Sequence, residues 1–162
     1  MPGSEDVKRG VDVATVFISY RMRSEFEVRR RLKRAHLSNE DAGIVIARMK
    51  EMKLIDDEAF AGAYARDQII GKNRGPMRVT SGLLALGIDK EMSGAAIEEV
   101  VAEHDTFELA MTLGEKRWAK LDAVENLASR KKRVFEYLVR RGYTFGDSRR
   151  VIDELERTGG RS

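Results

Sequence analysis

Three positions, His36, Gly87 and Gly142, set the register of an internal repeat, and no other feature of the chain restricts its fold as tightly. Eight residues before each anchor stand Val28, Val79 and Val134, and four before stand Leu32, Leu83 and Leu138. One residue after come Leu37, Ile88 and Tyr143; ten after, Ile46, Ile97 and Ile152; thirteen after, Met49, Val100 and Leu155. Each outer pair has the i,i+4 or i,i+3 spacing that puts both side chains on one helical face, so each set reads as helix, short turn, helix. Two residues after each anchor falls a residue suited to capping a helix N-terminus: Ser38, Asp89 and Thr144. Ser24 with Glu27 forms a capping box upstream of His36, and Gly75-Pro76 holds the same offset before Gly87, with proline at its favoured first helical position. Gly87 and Gly142 suit the left-handed residue that ends a helix, and His36 is a weaker substitute.

A further helix precedes each pair, at about 11–22, 56–71 and 105–120, and 121–141 reads as one long second helix in the third set. Third helices follow at 39–53, 90–103 and 145–157. Only two prolines occur, and Ala, Leu, Glu, Lys and Arg dominate, so helix is the default. The expected fold is all-α: three tandem three-helix repeats, 11–54, 55–104 and 105–157, stacked into an elongated, curved array because single repeats cannot bury their apolar faces alone. Residues 1–10 and 158–162 read as flexible tails.

The chain contains no cysteine, which excludes disulfides and thiolate metal sites. It opens on the polar MPGSEDVKRG, and no later run approaches about 18 apolar residues, so a cytoplasmic location without membrane contact is expected. The net charge of +3 conceals an asymmetry. Residues 1–54 carry 12 Lys/Arg against 8 Asp/Glu, 55–104 carry 5 against 9, and 105–162 carry 13 against 10. Ends of +4 and +3 around a middle of −4 fit a protein that meets different surfaces better than a uniformly basic nucleic-acid binder.

Five segments, taken in order, resemble the RecX family of recombination regulators: RMRSEFEVRRRL (Arg21 to Leu32), LIDDEAFAGAYARD (Leu54 to Asp67), Gly75-Pro76, LLALGI (Leu83 to Ile88) and YLVRRGYTFGDSRRVIDEL (Tyr137 to Leu155). The resemblance runs from about residue 11 to 157, with His36 departing from the usual glycine-like turn residue. It implies three three-helix repeats, no catalytic activity, no cofactor, and a monomer that binds the RecA recombinase filament on single-stranded DNA. Family members lodge in the filament groove and restrain ATPase, strand-exchange and coprotease activities.

Three basic clusters are candidate contacts for that partner or for single-stranded DNA. Arg29, Arg30 and Arg34, with Arg31 and Lys33, lie on the helix that buries Val28 and Leu32; Glu27, one turn from Arg31, partly neutralises it. A solvated helix face explains these residues equally well. Arg130, Lys131, Lys132 and Arg133, followed by Arg140 and Arg141, form a run with no internal acid, and its lysines are expected to point outward. Lys72, Arg74 and Arg78 surround Gly75-Pro76, where helix-start N–H groups could hold an anion or only water.

Asp56-Asp57-Glu58 fits acid–base work less well than an N-cap followed by acids in the first turn. Phe60, Ala61 and Tyr64 continue as a core stripe, and Trp118 fits packing against Phe107, Met111 and Gly114 better than an exposed anchor. His36 and His104 lack an HExxH-type partner, and no Gly-rich phosphate loop or nucleophile elbow occurs. The alternative function is a helix-turn-helix-like DNA-binding regulator, but the third helices hold only Asn39, no Gln, and the repelling Glu98, Glu99 and Glu103.

Overall fold

The computed structural model describes residues 4–160, and within them the secondary structure is helical throughout. The helices are α1 (Ser4–Ser19), α2 (Glu25–Arg34), α3 (Asn39–Glu51), α4 (Asp57–Arg66), α5 (Pro76–Ala85), α6 (Lys90–Glu103), α7 (Thr106–Lys120), α8 (Leu127–Arg140) and α9 (Phe145–Thr158). A π-helical turn, Asp67–Gly71, continues α4. Two compact units divide the chain: Met1–Ala63 with Leu83–Ser93, and Tyr64–Gly82 with Gly94–Ser162.

Every apolar position in the repeat register is buried, from Val28 and Leu32 through Val100 to Leu155. The three turns are built by the same hydrogen bonds. Leu37, Ile88 and Tyr143 donate their N–H groups to Leu32, Leu83 and Leu138 at 3.2, 3.0 and 3.1 Å. His36, Gly87 and Gly142 donate to Lys33, Leu84 and Val139 at 3.0, 3.1 and 2.9 Å. Together these make a Schellman ending, in which the first of the two donors along the chain must itself be left-handed. The three anchors meet this requirement, with φ of 63°, 80° and 99°. Ser38, Asp89 and Thr144 then cap the next helix, each accepting from the N–H three residues on. Ser24 and Glu27 form the full capping box at α2.

In the first unit, α1 packs on both α2 and α3. Val7, Gly10 and Ala14 make its inner face, and a Cβ on Gly10 would lie 2.4 Å from Leu37 Cδ2, so the glycine permits the close approach. In the second unit, α7 packs on α8 and α9 in the same manner. There a Cβ on Gly114 would lie 2.5 Å from Val151 Cγ1. Leu32 and Leu138 are fully enclosed in their respective cores, where truncation of a leucine to alanine costs about 2–5 kcal/mol.

Two expectations are corrected. Residues 4–10 belong to α1 and are not a tail, because Val7 and Gly10 are core positions that hold the helix down. Residues 121–126 interrupt the long helix expected over 121–141: α7 closes on Leu121, and Asn126 caps α8 by accepting from the Ser129 N–H at 3.0 Å. At the other end Thr158 closes α9, with Gly159 left-handed beyond it; residues 1–3 and 161–162 of the expected tails lie outside the described residues.

Within each unit the start of a middle helix meets the turn that ends the next one. In the first, Ser24 Oγ donates to the Leu86 carbonyl at 2.8 Å and Gly87 lies against Phe26, whose Cβ would be 2.4 Å from an added Cβ. In the second, Gly75 N–H donates to Arg141 O at 2.7 Å and Met77 N–H to Gly142 O at 3.0 Å. An added Cβ on Gly142 would lie 2.4 Å from Arg78 Cβ and 2.7 Å from Arg78 N.

Candidate partner-binding surface

The fold separates the basic side chains into those held by the protein and those left to solvent. On α2, Arg29 pairs with Glu25 at 3.0 Å, and Lys50 reaches the same carboxylate at 2.6 Å. Lys50 first, then Arg29, hold Glu25 below the usual carboxylate range. Arg30 lies over the Phe26 ring at 5.5 Å, and Arg34 is exposed. Arg31 is not the partner of Glu27, contrary to its one-turn spacing. Burial pushes the Glu27 carboxyl up, yet hydrogen bonds from Arg21 and the Ser24 N–H outweigh it and keep the group low.

On α8 three of the four cations of the run meet acids, two of them supplied by other segments. Arg130 is folded inward: it stacks over Trp118 at 4.1 Å, donates to the Trp118 carbonyl at 2.6 Å, and lies 3.6 Å from Asp122. Lys131 pairs with Glu156 of α9 at 2.8 Å, and Lys132 lies 3.9 Å from Glu136. Arg141 is also consumed, donating to the Lys72 and Asn73 carbonyls. Arg133 and Arg140 are exposed and carry no ion pair among the described residues. Trp118, 4% exposed, is core and not an anchor. Phe135 is half-buried and stacks on Phe145 with ring centroids 6.0 Å apart.

At the start of α5 two N–H groups are already taken, since Gly75 and Met77 donate to the carbonyls of Arg141 and Gly142. Lys72 lies 3.6 Å from Asp67, and Arg74 donates to Gln68. Arg78 reaches across to donate to the Arg140 carbonyl at 3.1 Å. This brings Arg78 and Arg140 onto one groove of about 340 Å³ with Met77, Val139, Tyr143 and Phe145. The apolar members were not evident from charge clusters, but a signal existed. Phe145 fills the slot three residues after the anchor that Asn39 and Lys90 fill in the other repeats.

The acidic run is structural. Asp56 caps α4 by accepting from the Ala59 N–H at 3.0 Å, and Asp57 accepts from the Glu25 N–H at 2.8 Å. Burial raises the Asp57 carboxyl, against that hydrogen bond. Among the described residues no three His, Asp or Glu side chains gather where a metal could sit, and no helix is long and apolar enough to cross a membrane.

With these helices and turns in place, the relationship to known proteins is direct. Models of the first, second and third three-helix domains of RecX match residues 12–49, 56–97 and 103–152, in that order. The chain belongs to the RecX family. A regulatory protein RecX of Oceanobacillus iheyensis is 28% identical over 142 residues, covering 88% of this chain and 52% of the relative. One from Streptococcus pneumoniae is 29% identical over 147 residues, 91% of this chain and 55% of the relative. The chain thus spans about half the length of the curated relatives it matches. The crystal structure of RecX from Lactobacillus salivarius shares the fold, with a TM-score of 0.83 at 22% identity, covering 95% of this chain and 99% of that one.

Proposed function

We propose that the chain binds the RecA recombinase filament on single-stranded DNA and restrains its ATPase, strand-exchange and coprotease activities. The observation that carries this reading is the ordered match to all three RecX domains. The chain acts as a cytoplasmic monomer, by occupying filament surface and by charge, without catalysis or cofactor. Arg34, Arg78, Arg133 and Arg140 carry the contacts, since among the described residues their guanidinium groups pair with no carboxylate and keep their charge for a partner. Single-stranded DNA is a second contact of the basic ends, and the acidic middle repeat faces a basic protein surface. Charge reversal at Glu98 and Glu99 with filament affinity retained would sink that division of labour.

The test is a RecA ATPase assay on single-stranded DNA, titrated with this chain and with a Lys131→Ala, Lys132→Ala, Arg133→Ala variant. ATP hydrolysis should fall with the wild-type chain, and the variant should require more protein for the same effect. Hydrolysis unchanged across the whole titration would overturn the reading.

A further inference from the structure

The groove of the second unit combines apolar side chains with two arginines. The first turn of α5, the last turn of α8 and the first turn of α9 enclose about 340 Å³ of open space. Met77 and Phe145, 60% and 67% exposed, flank it, and the two arginines stand among them. Single exposed apolar residues need no explanation, but several gathered around a concavity with oriented charges mark a binding surface. We propose that this groove docks an acidic protein segment carrying one large apolar anchor, with the anchor between Met77 and Phe145 and its neighbouring carboxylates on Arg78 and Arg140.

The charge argument is specific to these two arginines. Among the described residues no carboxylate pairs with either, whereas Lys72, Lys131, Arg150 and Arg157 nearby in sequence all have one. The groove lining contains no acid at all. Arg78 is also preorganised. Its Nη1 is fixed on the Arg140 carbonyl, and the remaining guanidinium donors form the planar fork that matches a carboxylate. Gly142 makes this possible: any side chain there would push Arg78 away, since an added Cβ would meet its Cβ at 2.4 Å.

A protein segment fits better than a nucleic-acid strand. Methionine adapts to an irregular side chain, and neither it nor valine gives a flat platform for bases. The one exposed ring of the groove lining, Phe145, is already stacked against Phe135. Strand binding needs a continuous cationic track with successive aromatic rings. Here the track is broken on either side by the Lys72–Asp67 and Lys131–Glu156 pairs.

Fluorescence anisotropy with the whole chain tests this without any recombinase, so its result is separable from that of the ATPase assay. The probe is a short fluorescein-labelled peptide with one leucine among aspartates and glutamates. Its controls carry serine for leucine, or lysine for the acids. The acidic peptide should bind, more weakly as salt rises, and both control peptides should bind poorly. Arg78→Gln and Arg140→Gln should each weaken binding about tenfold, the loss of one charge-assisted hydrogen bond. Phe145→Ala should weaken it comparably, whereas Arg157→Gln, at a cation already paired with Glu154, should not. Thermal melts of the variants should match the wild type, since these positions are exposed. Absence of binding, binding indifferent to Arg78, Arg140 and Phe145, or tighter binding of oligothymidylate that the same variants abolish would each overturn the proposal.

Discussion

The turns at His36 and at Gly142 are hydrogen-bonded alike, yet one carries a side chain and the other cannot. Both end a helix with the same pair of backbone bonds, and both put the middle residue at positive φ. His36 shows that the left-handed position itself tolerates a Cβ at modest cost. What forbids one at Gly142 is the neighbour: α5 begins there, with backbone atoms of Arg78 and Gly75 within 3 Å of where a Cβ would be. Gly87 is intermediate, since Phe26 approaches it through side-chain atoms. Glycine at this register position therefore reports on helix-to-turn contact more than on the turn's own conformation.

Substitutions rank this comparison. Gly142→Ala should be the most damaging, costing roughly 2–5 kcal/mol from conformational strain and overpacking against backbone, read as a lowered midpoint in urea unfolding. Gly87→Ala should cost about 1–3 kcal/mol, because the added Cβ meets only Phe26 side-chain atoms, whereas at Gly142 the Arg78 N and Gly75 O backbone atoms also lie within 3 Å; equal losses at the two glycines would refute the role given to the neighbour.

Tyr143→Phe should cost about 1 kcal/mol, since it removes the hydroxyl that donates to the Asn73 carbonyl at 3.2 Å. Tyr143 also makes the third turn alkali-sensitive. Burial pushes its phenol up to about 12 from an ordinary value of 10.0. Its contribution is complete below pH 10, where folded and unfolded forms are both protonated. It is lost as pH rises from 10.0 to about 12, because the unfolded chain releases the proton first. Melting across that range should show a component in the wild type that Tyr143→Phe lacks.

The smallest effect belongs to the first turn. His36→Gly relieves a left-handed side chain but loosens the unfolded chain, so stability should change by less than about 1 kcal/mol, on the stabilising side. A large loss there would mean that the imidazole holds the turn.

The repeat was legible because burial of its register positions follows from local spacing: Val28 and Leu32, or Ile152 and Leu155, share a face in any helix that contains them. Caps were legible for the same reason, as Ser24, Ser38 and Thr144 act on residues three positions away. The start of α1 was hidden because its inner face uses Gly10 and Ala14, which carry little hydrophobic signal yet permit contact with Leu37 and Val45. The break before α8 was hidden by helix-favouring Ala123, Glu125 and Leu127. The basic clusters were legible as clusters but not as surfaces. Glu156 stands 25 residues from Lys131, and Arg141 finds its carbonyl acceptors 69 and 68 residues away, pairings that only the fold creates.

Trp118 is the sole tryptophan of the chain. It lies beneath the Arg130 guanidinium, and Gly160 is seated so close to its indole that an added Cβ would fall 2.8 Å from Cδ1. Intrinsic emission excited at the indole band therefore comes from one place: the enclosed seam between α7, the start of α8 and the residues just past α9. Unfolding there should shift the emission to the red, while events confined to the first unit leave it unchanged, so the chain carries its own optical gauge of which half responds when a partner arrives.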